Sequence, residues 1–281
     1  MTTRVRTIRR DGRPNTKRIG LVPGSGHGGW AWDLLCPELA AHGYDPIPVE
    51  VPSHQPGSTY EDFAEAAARQ LPRGGVDQLV LHSGGAHLAP GIVSRLGAGA
   101  IGGLVYVGGS IGNAIDGPPL LVDGQIRHWQ RNSPEFRRAI IPSPRGDMAR
   151  FDMSMVRNLL FNDCTPDTAR WAMNNIGRPF CRPRREPPMV QHNNGIRKSY
   201  ILNTDDKVRD PYMAVWIARE LGMELLRMGG GHSPAIAQPE NLGNVLMSLI
   251  EEPETAGPFL PFPRPRQSPE SSTPHTNFPT L

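Results

Sequence analysis

The chain has 281 residues, with 30 Lys and Arg against 27 Asp and Glu for a formal net charge of +3, 38% hydrophobic residues, 31 Gly and 30 Pro. A collagen-like chain needs glycine at every third position, and a chain disordered throughout needs far fewer apolar residues, so both are excluded. What remains is one large globular domain, or two small ones, with a core big enough for an enzyme.

The charge is unevenly placed. Residues 1–18 hold Arg4, Arg6, Arg9, Arg10, Arg13, Lys17 and Arg18 against Asp11 alone, a local +6 that leaves −3 on the rest. Residues 1–17 therefore read as a basic, flexible, solvated arm. Such an arm can touch nucleic acid or anionic lipid. No aromatic residue interleaves the arginines and no nucleic-acid module follows, so neither nucleic acid nor membrane is expected as a partner. No apolar stretch with a small-residue cleavage site follows the arm, and no window approaches about 18 continuous apolar residues. Cys36, Cys164 and Cys181 are too few and too irregularly spaced for a disulfide framework or a CxxC metal site, and they predict reduced thiols in a cytoplasmic protein.

From residue 18 onward, short apolar runs alternate with longer amphipathic stretches. Buried strands are predicted at 19–23, 46–51, 78–82, 103–107, 199–203 and 224–228. Helices are predicted at 30–41, 60–70, 85–96, 211–221 and 239–250. That alternation argues for a mostly parallel, doubly wound sheet with helices on both faces. Residues 109–197 break the rhythm, with helical patterns near 154–160 and 165–175 and no convincing strand. A helical insertion of this kind often forms a lid over a site. Residues 252–281 are rich in Pro, Ser, Thr and Arg without an apolar period, so they read as an unstructured tail, leaving 18–251 as the folded unit. The Pro-rich run around Pro263 could also serve as a polyproline ligand for a partner.

Chemistry concentrates at the strand ends. The strand at 78–82 runs into His82-Ser83-Gly84-Gly85, a serine on a sharp strand-to-helix turn, where its hydroxyl can attack a carbonyl. Leu81-His82-Ser83-Gly84-Gly85 meets the G-x-S-x-G pattern at its second glycine and departs at Leu81. After the strand at 199–203 comes Thr204-Asp205-Asp206-Lys207, and after that at 224–228 comes Gly229-Gly230-Gly231-His232-Ser233. Serine, acid and histidine thus occur in an order in which a parallel sheet can gather them at one edge. A serine hydroxyl needs a base to take its proton, and an imidazole base needs an acid to fix its tautomer. The glycine-rich turn Pro23-Gly24-Ser25-Gly26-His27-Gly28-Gly29 can aim amides at a developing oxyanion, with the amide of Gly84 as the second donor. A phosphate-binding loop is the rival reading of that turn. It lacks a GK[ST] ending, and Glu50 is its weak candidate for a ribose-binding acid.

Residues 18–250 resemble the α/β-hydrolase fold, in the branch of small esterases that includes salicylate-binding methylesterases and hydroxynitrile lyases. The resemblance rests on Leu21-Val22-Pro23-Gly24-Ser25-Gly26-His27-Gly28-Gly29-Trp30-Ala31-Trp32, Leu79-Val80-Leu81-His82-Ser83-Gly84-Gly85 and Tyr200-Ile201 with Thr204-Asp205-Asp206-Lys207. It extends through the segment from Phe161 to Ala169 and the ending Gly231-His232-Ser233. It implies Ser83 as nucleophile, His232 as base and Asp206 as orienting acid, with Ser25 and Gly84 supplying oxyanion amides; Asp205 stays open as the acid. The family usually has His-Gly where this chain has Pro23-Gly24, and Gly where it has Leu81.

The resemblance implies an esterase acting on a small or medium carboxylic ester through an acyl-enzyme, without cofactor or metal. A non-hydrolytic lyase or cyclase using the same pocket is an alternative, as is a ligand-binding protein with a vestigial triad. Hydroxynitrile lyases carry threonine where this chain has Gly24 and lysine where it has Ser233, which disfavours cyanohydrin cleavage. A metal pair at His82 and His87 lacks a third ligand, His54 reads as a loop residue, and Cys164 has no base at a readable spacing. Trp129 and Trp171 lie in the insertion, where they could touch substrate, but they are not singled out as site residues. A small-molecule substrate is the expected partner, and oligomeric state has no signature in the sequence.

Overall fold

The computed structural model describes residues 16–111, 120–122, 125–127, 132–183, 192 and 194–251. The Pro-rich tail, Trp129 and all of the basic arm except Thr16 and Lys17 lie outside the described residues.

In chain order the first half holds β1 (Arg18–Val22), α1 (Leu35–Ala41), β2 (Asp45–Pro48), α2 (Tyr60–Gln70), β3 (Gln78–His82), α3 (Ala89–Leu96) and β4 (Leu104–Val107). After β4 come β5 (Leu120–Val122), β6 (Gln125–Arg127), α4 (Pro134–Ala139), β7 (Ile140–Pro142), β8 (Met148–Phe151), α5 (Met153–Leu160), α6 (Pro166–Ile176) and β9 (Phe180–Cys181). The chain closes with β10 (Lys198–Asn203), α7 (Pro211–Glu220), β11 (Glu224–Met228), α8 (Pro234–Ala237) and α9 (Pro239–Glu251). This is the α/β-hydrolase architecture, a parallel six-stranded sheet in the order β11-β10-β4-β3-β1-β2.

Position in the sheet explains the side chains each strand carries. The inner strands β3, β4 and β10 are buried at every residue, whereas the edge strands β2 and β11 are half-buried or exposed at every residue but Met228. Pro46 and Pro48, which cannot donate to a ladder, sit on the edge strand β2. Alternation along the strands feeds two cores. Leu79, Leu81, Leu104 and Tyr106 pack with α2, α3 and α7 on one face. Ile19, Leu21, Val80, Val105 and Val107 pack with α1 and α9 on the other. Thr59 closes the start of α2 with a capping box to Asp62.

Two predicted helices are broken where they enter. The stretch 30–41 begins as a short 3₁₀ turn at Gly29–Trp32 and restarts as α1, with Pro37 in its first turn, where a missing amide costs nothing. Likewise 85–96 opens as a 3₁₀ turn over Ser83–Leu88, and α3 restarts with Pro90 near its N-terminus.

The insertion between β4 and β10 is not purely helical, which corrects the expectation that it lacks strands. It carries the antiparallel pair β5-β6 and the small sheet β7-β8-β9 beside α4, α5 and α6. These strands run two to four residues, too short to show a period in sequence. Phe136, Phe151, Phe161 and Phe180 give the insertion a core of its own. Among the described residues no helix is long and apolar enough to cross a membrane.

Candidate active site

β3 delivers Ser83 into a turn at φ 50°, the one positive φ outside glycine among the described residues. A side chain in that region costs of order 1–3 kcal/mol, so the surroundings must hold it there. They do so by close approach of glycines. A Cβ on Gly85 would stand 2.3 Å from the Pro23 carbonyl oxygen, and one on Gly24 would stand 3.0 Å from the Ser83 Cβ. The Ser83 carbonyl accepts the amide of Ser110 at 2.9 Å, tying the turn to the end of β4. Leu81 lies in the core with Leu79 and Tyr106, so the turn tolerates it without a glycine there.

The C-terminal ends of β3, β10 and β11 bring three groups together. His232 Nε2 lies 2.9 Å from Ser83 Oγ, and His232 Nδ1 lies 2.8 Å from Asp206 Oδ2. The His232 and Asp206 side chains are 1% and 3% exposed. With Nδ1–H donated to the carboxylate, Nε2 accepts the Ser83 hydroxyl. Asp206 Oδ1 accepts the amides of Val208 at 2.7 Å and Arg209 at 3.0 Å. Burial pushes the Asp206 carboxyl up, but the charge and hydrogen bond of His232 and those two amides together outweigh it and hold the group below its ordinary value. Asp205 points elsewhere, accepting the Gly230 amide at 3.1 Å.

The turn that carries His232 is braced from the insertion. Asp163 Oδ2 accepts the Gly231 amide at 2.8 Å and Gln238 Nε2 at 3.0 Å, while Asn162 Nδ2 donates to the Asp205 carbonyl at 3.3 Å. A Cβ on Gly231 would stand 2.3 Å from Asn162 Oδ1, so only glycine fits between these side chains. Beneath the site, His82 Nε2 donates to the His232 carbonyl at 2.9 Å, and the His27 ring meets His82 edge-on at 5.5 Å. Burial lowers His27 to about 4 and His82 well below its ordinary value, so both are neutral at pH 7.

Ser25 and Gly84 stand side by side across the turn, since a Cβ on Gly84 would lie 3.3 Å from Ser25 N. Both line a cavity of about 160 Å³ above Ser83, walled by Phe136, Ile140, Phe151, Leu160 and Phe180 from the insertion. Ligand pockets commonly span about 300–1,000 Å³, so this cavity is a small one. A larger groove of about 380 Å³ between Pro52–Ser58 and α2 holds none of these groups.

Arg209, which sequence reasoning passed over, is 8% exposed and lines the same cavity. Its Nη2 donates to Ser83 Oγ at 3.0 Å, its Nε to the Gly108 carbonyl at 2.9 Å, and its Nη1 to Asn132 Oδ1. The signal was a lone arginine three residues after the acid, in a polar loop that gives no hint of burial.

The other singled-out residues take structural places. The Gly29 amide donates to Glu50 Oε1 at 2.7 Å, so the glycine turn seats the chain's own carboxylate, which opposes the phosphate reading. His87 packs against Tyr60 with ring centroids 5.3 Å apart, and His54 Nδ1 pairs with the Pro179 carbonyl at 2.7 Å. Among the described residues no group of three or more His, Cys, Asp or Glu is arranged to hold a metal ion. Trp30 stacks on His27 at 5.2 Å and meets Trp171 edge-on, and Trp32 is buried beside His82. Burial and Asp163 push the Cys164 thiol up to about 12, far from thiolate chemistry.

A sequence model described as the Alpha/beta hydrolase family matches residues 21–244. No curated protein matches the chain in sequence. Among solved structures, a pyrethroid hydrolase from Sphingobium faniae aligns with TM-score 0.63 at 19% identity, covering 85% of this chain and 99% of that one. Polyneuridine aldehyde esterase aligns with TM-score 0.62 at 15% identity, covering 84% and 99%. A methylesterase from Arabidopsis aligns with TM-score 0.62 at 16% identity, again covering 84% and 99%. At these identities the likeness is one of fold.

Proposed function

The chain belongs to the alpha/beta hydrolase family, and from that membership and the geometry at Ser83 we propose that it hydrolyses a small carboxylic ester through an acyl-enzyme. The observation that carries this reading is the unbroken chain of hydrogen bonds from Ser83 Oγ through His232 to the buried Asp206, ending on a serine held at a strained φ.

His232 takes the proton of Ser83 as Oγ attacks the ester carbonyl, and Asp206 holds the ring in the required tautomer and stabilises the imidazolium. The amides of Ser25 and Gly84 receive the oxyanion of the tetrahedral intermediate, a contribution worth about 3–4 kcal/mol per donor elsewhere. The alcohol leaves with the proton from His232, and water activated by the same ring releases the acid. The phenylalanine-walled cavity of about 160 Å³ favours a short acyl group over a sugar or peptide.

Hydrolysis of p-nitrophenyl acetate and butyrate tests the reading. The wild type should turn over at least one of them, and Ser83→Ala should lose on the order of a thousandfold or more. A Ser83→Ala rate equal to wild type would overturn the acyl-enzyme and leave a reaction that uses only the base.

A further inference from the structure

Arg209 is out of place in a pocket built only for a neutral ester. It is a guanidinium, permanently charged, set 3.0 Å from the oxygen that would attack. Its orientation is fixed: Nε is held by the Gly108 carbonyl, Nη1 by the Asn132 side chain, and its own amide by Asp206. Asn132 is in turn anchored, because its neighbour Ser133 donates from its amide to the Val208 carbonyl and from Oγ to the Lys207 carbonyl. A long flexible side chain secured at so many points is preorganised rather than incidental.

The electrostatics of the cavity point the same way. Arg182 joins Arg209 in its wall, Ser110 and Asn132 add polar groups, and no aspartate or glutamate is among the described residues that line it. The Asp206 carboxylate does not line the cavity, and both its oxygens are engaged by His232 and two backbone amides. Low-dielectric walls of phenylalanine strengthen the field of a cation placed between them.

We propose that Arg209 is the carboxylate-binding group of the acyl pocket, so that the substrate is a short half-ester: a dicarboxylic acid with one carboxyl esterified and the other free. This rests on the hydrolytic reading above and names its substrate class. The free carboxylate replaces Ser83 Oγ as a partner of Nη2, which also releases the nucleophile's oxygen from a hydrogen bond that lowers its nucleophilicity. The reacting carbonyl must come within about 3–3.5 Å of Oγ, and Nη2 lies 3.0 Å from that oxygen. Both carboxyls thus gather around one oxygen, an arrangement that a spacer of one or two carbons, as in malonate and succinate, can meet. In the reaction the ester C–O bond breaks, alcohol leaves with the proton relayed by His232, water completes the acid, and the second carboxylate stays unchanged on Arg209.

The test compares kcat/KM for monomethyl succinate with that for methyl levulinate, in which an acetyl group replaces the free carboxylate. The wild type should prefer the half-ester by about tenfold or more, as a charge-assisted pair implies. Arg209→Lys should keep part of that preference and Arg209→Met should abolish it. A ratio near one in the wild type, or one that survives in Arg209→Met, would overturn the proposal. Calorimetric titration of the wild type with succinate reads the subsite without turnover. Succinate binding in a protein that cleaves no ester would retain the subsite and remove the hydrolytic reading. Ester turnover without charge preference or succinate binding would do the reverse.

Discussion

Acidification from pH 7.5 to 5.0 should strip the fold of a large part of its stability, because several histidines are buried in the neutral state. His27 and His192 are each lowered from 6.5 to about 4, chiefly by burial. Between those two values the unfolded chain binds a proton that the folded chain excludes, so stability falls as pH falls. At pH 5.0 the unfolded imidazole is almost fully protonated and the folded one only about a tenth, which amounts to about 2 kcal/mol per histidine relative to pH 7.5. The two together come to about 4 kcal/mol, and His82, lowered further still, adds in the same direction. Typical domains hold only about 5–15 kcal/mol. Asp206 acts in a different window: its folded value lies below 3.8, so its stabilisation is complete above 3.8 and is lost only as pH drops through the folded value. Urea unfolding followed by far-ultraviolet circular dichroism at pH 7.5, 6.0 and 5.0 measures the slope. His192→Gln, at a site whose ring pairs with the Tyr106 hydroxyl, should reduce the loss by about 2 kcal/mol. Equal stability at pH 7.5 and 5.0 would refute the reasoning.

Two further outcomes follow from single contacts. Asp206→Asn should lower ester hydrolysis by about ten-thousandfold by disfavouring the needed tautomer, while Asp205→Asn should retain most of the rate because its amide oxygen still accepts the Gly230 amide; steady-state kinetics on p-nitrophenyl butyrate decides, and the opposite ranking would move the acid by one residue. Leu81→Ala should cost about 2–5 kcal/mol in urea unfolding, since the side chain is wholly buried. A cost under about 1 kcal/mol would mean that Leu81 is not part of the packing that supports the turn.

The sheet was legible because its inner strands are buried on both faces and therefore read as continuous apolar runs, as Leu79-Val80-Leu81 and Tyr200-Ile201-Leu202 do. The convergence of Ser83, His232 and an acid after β10 was legible because a parallel sheet carries successive strand ends to one edge, whereas the preference for Asp206 over Asp205 came only from the family resemblance. What escaped depends on partners distant in sequence. Arg209 is held in the site by Gly108 and Asn132, and Asp163 braces the turn that carries His232 through the Gly231 amide, 68 positions away. Neither has a local pattern. The strands of the insertion escaped for the opposite reason: Phe180-Cys181 pairs with Met148-Ala149 over two residues, which no periodicity can report.

Intact-mass analysis and peptide mapping after treatment with a fluorophosphonate ask directly whether Ser83 is an activated nucleophile, without requiring the natural substrate. One adduct per chain at Ser83, absent from His232→Ala, is the outcome that the hydrogen-bonded triad predicts. A folded protein that takes up no label, or takes it elsewhere, would contradict it.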